Sequence, residues 1–269
     1  MVGWAPSELI GPDGVALCWF LLAWLGYGPL VQVWRHPSSV NVRLHEVRRV
    51  WMRVMLARDN RIVDTSLIGH TVHSATFFAS TTMVALAALL GVLGNFEHSF
   101  AALGELTFAA QTSPALAETK VVLLVFVFAH SLLKLTWSLR KLNYTIALIG
   151  AAPLKPDPAR SGAIADRIAT VFSLAIGSFN AGLRGYYFAL AALAWLLGPG
   201  VFALATSGIV AMMLWRQFGS TTAQAIRLGH TTYASADLDA EGRAAEAGFQ
   251  ASPKAVPAAG HGLGRPDAA

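Results

Sequence analysis

The sequence predicts an all-α integral membrane protein, a helical bundle of five (alternatively four) transmembrane helices with cytoplasmic amphipathic helices. Three observations carry that expectation. The 269-residue chain is 55% hydrophobic and only 13% charged, whereas a soluble domain carries about a quarter charged residues. Uncharged apolar runs at 15–33 and 84–94 go beyond what a core folded in water needs. The arginines are also unevenly placed. Seven fall between Arg35 and Asp64, while the stretch from Asn95 to Thr119 holds no lysine or arginine. Cytoplasmic loops retain positive charge, so the first segment is expected inside and the second outside.

A crossing helix needs about 20 apolar residues. A short outer N-terminus, 1–14, is followed by the first span at about 15–34. Trp19, Trp24, Tyr27 and Trp34 lie along it, and Pro29 is tolerable where neighbouring helices satisfy the freed carbonyl. The N-terminal segment lacks a basic residue and no small-residue cleavage site follows the first apolar run, so a cleaved signal peptide is not expected. The second span covers about 67–94 and the third about 119–139. The region from Gly185 to Trp215 is too long for one upright helix and short for two. Gly198-Pro199-Gly200 in its middle breaks helices. An outer turn there gives spans at about 181–197 and 201–218, and returns Arg216 and Arg227 to the arginine-rich side. One kinked span would leave both arginines outside. The charge pattern favours five spans, with the N-terminus out and the C-terminus in.

Two cytoplasmic segments show helical periodicity. In 38–61, Val40, Leu44, Val47, Trp51 and Val54 recur at three- and four-residue steps among Arg43, Arg48, Arg49 and Arg53. This is a basic amphipathic helix suited to the headgroup region, with Trp51 as its anchor. Residues 164–179 form a second, interfacial candidate, with Ile164, Ile168, Val171, Phe172, Ala175 and Phe179 along one side. From 219 the chain is cytoplasmic. From about 234 it is rich in Ala, Gly and Pro and is expected to be largely disordered.

Polar groups inside spans are costly without a partner or a task. His70 and His73 share one face of the second span, and His130 and Lys134 share one face of the third. Counted from the expected span ends, His73 and Lys134 both lie roughly 9 Å deep, with His130 about a turn deeper. They form a candidate polar cluster with Asn180 and Arg184. Three readings compete: hydrogen bonds between helices with Lys134 and Arg184 snorkelling, haem b ligation by His70 or His73 with His130, and one end of a proton or ion path. No Asp or Glu lies in any span to continue such a path. Arg58-Asp59-Asn60-Arg61 with Asp64 is a compact patch, either self-paired or a dock for lipid. Cys18 is the only cysteine, which excludes an internal disulfide and cysteine-based metal sites. No phosphate loop, nucleophile elbow, His-Glu-x-x-His motif or paired carboxylates occur. The net charge of +5 comes from membrane-flanking arginines, so no nucleic-acid partner is expected.

Three stretches carry a family resemblance. They are 61–83, which contains FFASTT at 77–82; 134–153, reading KLTWSLRKLNYTIALIGAAP; and 179–195, reading FNAGLRGYYFALAALAW. Together they resemble a family of bacterial integral membrane proteins designated domain of unknown function 599, and the similarity runs from about 48 to 218. The resemblance implies a bacterial inner-membrane protein of four or five spans and carries no activity with it. His70, His73 and His130 are not among the positions that carry it, which weakens the haem reading. It directs attention to Trp137, Arg140, Asn143, Tyr144, Asn180, Arg184 and Tyr186 near the inner surface. Trp137, Tyr144 and Tyr186 suit an aromatic belt there, with arginines reaching phosphates.

The expected role is therefore that of a non-enzymatic interaction or organising protein without a cofactor. Its candidate surface for anionic lipid or a partner comprises Arg48, Arg49, Arg53, Arg58, Arg61, Trp137, Arg140, Asn143, Tyr144 and Tyr186. Self-association is a further partner expectation. The alternative is a small transporter or ion-conducting protein using the His/Lys/Arg cluster.

Overall fold

The computed structural model describes residues 11–33, 40–98 and 113–218, with a few helical residues between 221 and 229. The order of elements is α1 (Pro12–Val33), α2 (Val40–Ala57), α3 (Ile62–Gly94), α4 (Pro114–Ala151), α5 (Pro158–Ala194), a 3₁₀ turn (Trp195–Leu197) and α6 (Pro199–Phe218). No strand occurs among the described residues. Five of these helices, all but α2, are long and apolar enough to cross a membrane.

Local chemistry fixes the ends of the two longest helices. Ser113 accepts a hydrogen bond from the Leu116 amide at 3.2 Å, and Pro114 follows at the first helical position. Asp157 accepts from the Ala159 amide at 3.0 Å, again followed by proline. Both are N-caps, and a proline there sacrifices no helical hydrogen bond. After α5, Gly198 takes φ +119°, a conformation that favours glycine, and Pro199 opens α6. The turn is held by Trp195, which stacks on Phe202 with centroids 4.8 Å apart and donates its indole N–H to Asp13 Oδ1 at 2.6 Å. The expected break at Gly198-Pro199-Gly200 is therefore present, and it separates the last two long helices.

Helix length sorts the bundle into two ends. At 1.5 Å per residue, α1 and α6 are about 33 and 30 Å long, while α4 and α5 reach about 57 and 56 Å. The long pair packs along its whole length. A Cβ on Gly185 would overlap the Ser131 hydroxyl, and one on Gly182 would stand 2.6 Å from Leu135 Cγ. At one end α1 and α6 close over α4 and α5 around Phe20, Val127, Phe188, Trp195 and Phe202. At the other end α2 and the start of α3 surround them through Met52, Met55, Leu56, Ile68, Leu142, Ile168 and Phe172. Met52, Met55 and Leu56 are wholly buried. Each is worth roughly 1.5–3 kcal/mol of apolar burial, which makes α2 an integral part of the second core.

Several expected boundaries change. The interfacial helix at 164–179 and the span at 181–197 are one continuous helix, α5 with its 3₁₀ end, because no breaker interrupts 158–194. The spans at 67–94 and 119–139 are parts of the longer α3 and α4. The amphipathic helix expected over 38–61 is α2, Val40–Ala57, and Trp51 is no lipid anchor: its indole donates to Asp64 Oδ1 at 2.7 Å and its ring meets Phe172 edge-on. Trp34, residues 1–10 and the tail from 230 lie outside the described residues.

Candidate functional site

His70 and His73, expected at the depth of Lys134 with His130 a turn deeper, lie beside the second core, while His130 lies beside the first. His70 and His73 are exposed on α3, flanked by Ile68 and Ala75 of the second core. His130 sits near Val127 at the first core, its ring packed edge-on against Trp24 with centroids 5.3 Å apart. α4 continues to Ala151, so its end lies well beyond residue 139. No group of three His, Cys, Asp or Glu side chains suited to a metal occurs among the described residues.

His130, Lys134, Trp137 and Lys141 recur at four, three and four residues, so they form one stripe on α4. Trp24 of α1 packs over its His130 end. Lys134 and Arg184 are the charged neighbours of His130. The Arg184 guanidinium lies 5.6 Å from the Tyr27 ring centroid, and one terminal nitrogen is 3.7 Å from the place a Cβ on Gly28 would take. At Trp137 the stripe is open. Trp137 is 51% exposed and has Arg140 and Lys141 over its ring at 5.6 and 6.0 Å. Lys141 Nζ donates to Ser178 Oγ on α5 at 2.8 Å. Asn143 and Tyr144 are exposed just beyond, and Asn180 is partly buried. Cations held over aromatic faces in this way gain about 0.5–2 kcal/mol. No Asp or Glu occurs in 119–156 or 167–236, so these elements bring basic groups together without a carboxylate.

Tyr186 does not join this rim. Its hydroxyl donates to Phe78 O at 2.9 Å and lies 2.7 Å from Thr82 Oγ1, and its ring packs against Phe78 and Phe128. It couples α3 to α5 instead. Thr81 and Thr82 bond back to the carbonyls of Phe77 and Phe78.

Five arginines expected on the binding surface are engaged within the protein. Arg49 forms a two-pronged pair with Asp166, both contacts at 2.8 Å, and reaches Glu46 at 3.1 Å. The Asp166 hydrogen bonds raise its already high pKa further. Arg53 is 4.0 Å from Asp166. Arg48 donates to Ser173 Oγ at 3.3 Å and lies 5.7 Å from the Phe172 centroid, and burial pushes its guanidinium down to about 10. Arg58 donates to Asp64 at 2.7 Å. Arg61 caps the end of α4 through the carbonyls of Ala152 and Pro153 at 2.9 and 2.7 Å. Arg49, Arg53, Arg58 and Arg61 fix α2 and the α2–α3 corner to the central pair. Sequence reasoning missed Asp166 as their counter-charge, although it is the only acid between Asp157 and Asp237 and faces an arginine-rich segment. It also missed Lys141, Trp24 and Tyr27 at the rim.

The fold and rim define an all-helical protein with five membrane-length apolar helices and a basic, aromatic collar at one level. The family model described as "Protein of unknown function, DUF599" matches residues 15–222, and the chain belongs to that family. No curated protein and no solved structure matches it.

Proposed function

We propose that this chain is a multi-pass protein of the bacterial inner membrane, with its N-terminus outside and C-terminus in the cytoplasm. On this reading it organises the membrane surface without catalysis, holding anionic lipid at a basic cytoplasmic rim. The lengths of α1 and α6 match a hydrocarbon core of about 30 Å. Their exposed side chains include Val15, Leu22, Leu25, Leu204 and Trp215, an outward apolar surface suited to lipid. The excess length of α4 and α5, with α2 and the start of α3, then forms a cytoplasmic extension roughly 20 Å tall.

One observation carries the lipid reading: exposed Trp137 with Arg140 and Lys141 over its ring. An indole at headgroup depth beside two phosphate-reaching cations is the arrangement an anionic surface selects. Reconstitution into vesicles of phosphatidylglycerol or phosphatidylcholine tests the proposal. Thermal unfolding is expected several degrees higher in the anionic vesicles, with the difference shrinking in the Arg140→Gln/Lys141→Gln double variant. Equal stability of the unaltered protein in both vesicles would remove the reading.

A further inference from the structure

We infer that Arg184, Lys134 and His130 form a phosphate seat beneath the inner half of α1, separate from the outward-facing Trp137 collar. The inference rests on the membrane reading above and names a second, deeper ligand site. Arg184 reaches it from α5, His130 and Lys134 from α4, and Trp24, Tyr27 and Gly28 form its α1 wall.

Arg184 and Lys134 make no hydrogen bond or ion pair among the described residues, and the surrounding segments of α1, α4 and α5 contain no carboxylate. A long basic side chain normally escapes such a place by snorkelling to water. Arg184 is partly buried and pinned on the Tyr27 ring instead. Gly28 places no side chain against the guanidinium, and a larger residue there would narrow the approach.

Like charges collected without a counter-ion in a poorly polar cleft call for an anion from outside. The guanidinium fork matches two oxygens of one phosphate, and Lys134 supplies a point charge beside it. Leu133, 70% exposed on the next position of α4, offers apolar surface for an attached acyl chain. The chemistry recognised is a phosphate group, carried by a phospholipid headgroup or free in the cytoplasm.

Native mass spectrometry of the full chain in mild detergent tests the seat, with short-chain phosphatidylglycerol, phosphatidylcholine and inorganic phosphate as probes. One tightly held phosphatidylglycerol per chain is expected, with phosphatidylcholine retained far less. Arg184→Gln is expected to weaken retention roughly tenfold or more, the loss of a charge-assisted pair, while Arg140→Gln/Lys141→Gln keeps the tight copy. Competition by millimolar phosphate would identify the free anion as the occupant of the same seat. Should Arg184→Gln fail to fold, Lys134→Gln and Gly28→Val report on the same cleft from its other walls. Retention unchanged in these variants, or no bound phosphate species in the unaltered protein, would overturn the inference. Loss confined to Arg140→Gln/Lys141→Gln would leave the collar standing and remove the seat.

Discussion

Replacing Asp64 by alanine isolates what holds α2 at the corner with α3. The Asp64 side chain is 1% exposed, and its Oδ1 alone accepts both the Trp51 indole N–H and an Arg58 N–H, each at 2.7 Å. A hydrogen bond to a charged group contributes about 1.5–3 kcal/mol. The Arg58 side chain is 45% exposed, so on losing its partner it regains water, and its share falls to the ~1 kcal/mol of a surface pair. The Trp51 indole N–H is partly buried and is stranded at roughly 1–3 kcal/mol. Against these stands relief from burying a carboxylate whose Oδ2 has no partner. The net expectation is a loss of about 2 kcal/mol, and since every ~1.4 kcal/mol is tenfold, amides of α2 should exchange hydrogen about 30-fold faster. Exchange measured on the protein in detergent reads this directly, with protection in α1 and α6 unchanged. Asp59→Ala serves as the control, because the Asp59–Lys155 pair is 82% and 66% exposed and is worth little. Unchanged or increased α2 protection in Asp64→Ala would refute the reasoning, the second outcome meaning that the desolvation of Oδ2 outweighs both hydrogen bonds.

The remaining predictions are read by thermal unfolding or by the same exchange measurement. Gly185→Ala drives its methyl into the Ser131 hydroxyl and should cost about 1–3 kcal/mol, partly restored by adding Ser131→Gly; a neutral single variant would show that α4 and α5 have slack. Burial pushes the Arg48 guanidinium down to about 10, well below its ordinary value. Its charged form therefore opposes docking at every pH below 10, and linkage makes docking tighten as pH rises above 10 towards the ordinary arginine range. Arg48→Met should accordingly raise α2 protection at neutral pH by on the order of 1 kcal/mol once solvent screening and the lost Ser173 bond are allowed for; a fall in protection contradicts this. Arg49 stays charged throughout that range because Asp166 raises its pKa, so Arg49→Met should lower α2 protection with a loss that does not vary between pH 7 and 10.

The five long helices were legible because their signals are local: apolar runs and a Gly-Pro-Gly break. Helix length was not, because residues 139–151 and 158–175 are too polar to score as spans yet contain nothing that stops a helix. That error shortened α4 and brought His73 to the level of Lys134, a turn from His130. Arginine function was misread for a related reason. Charge count along the chain finds Arg48, Arg49 and Arg53, but only packing reveals that one distant acid, Asp166, and Ser173 receive them. The collar residues Trp137, Arg140 and Tyr144 came from the family resemblance, and the structure places all three on an exposed face. Tyr186 looked the same in sequence, and only the proximity of Thr82 and Phe78 shows that it faces inward.

The unbroken run of α4 against α5 also has a mechanical consequence. Two rods about 56 Å long, locked at Gly182 and Gly185, behave as a single stiff lever crossing both cores. A tilt of about 5° around its middle displaces each tip by roughly 2 Å. Strain applied near Trp195 and Asp13 at one tip would thus reach the seating of α2 at the other as rigid motion, without any helix having to unwind.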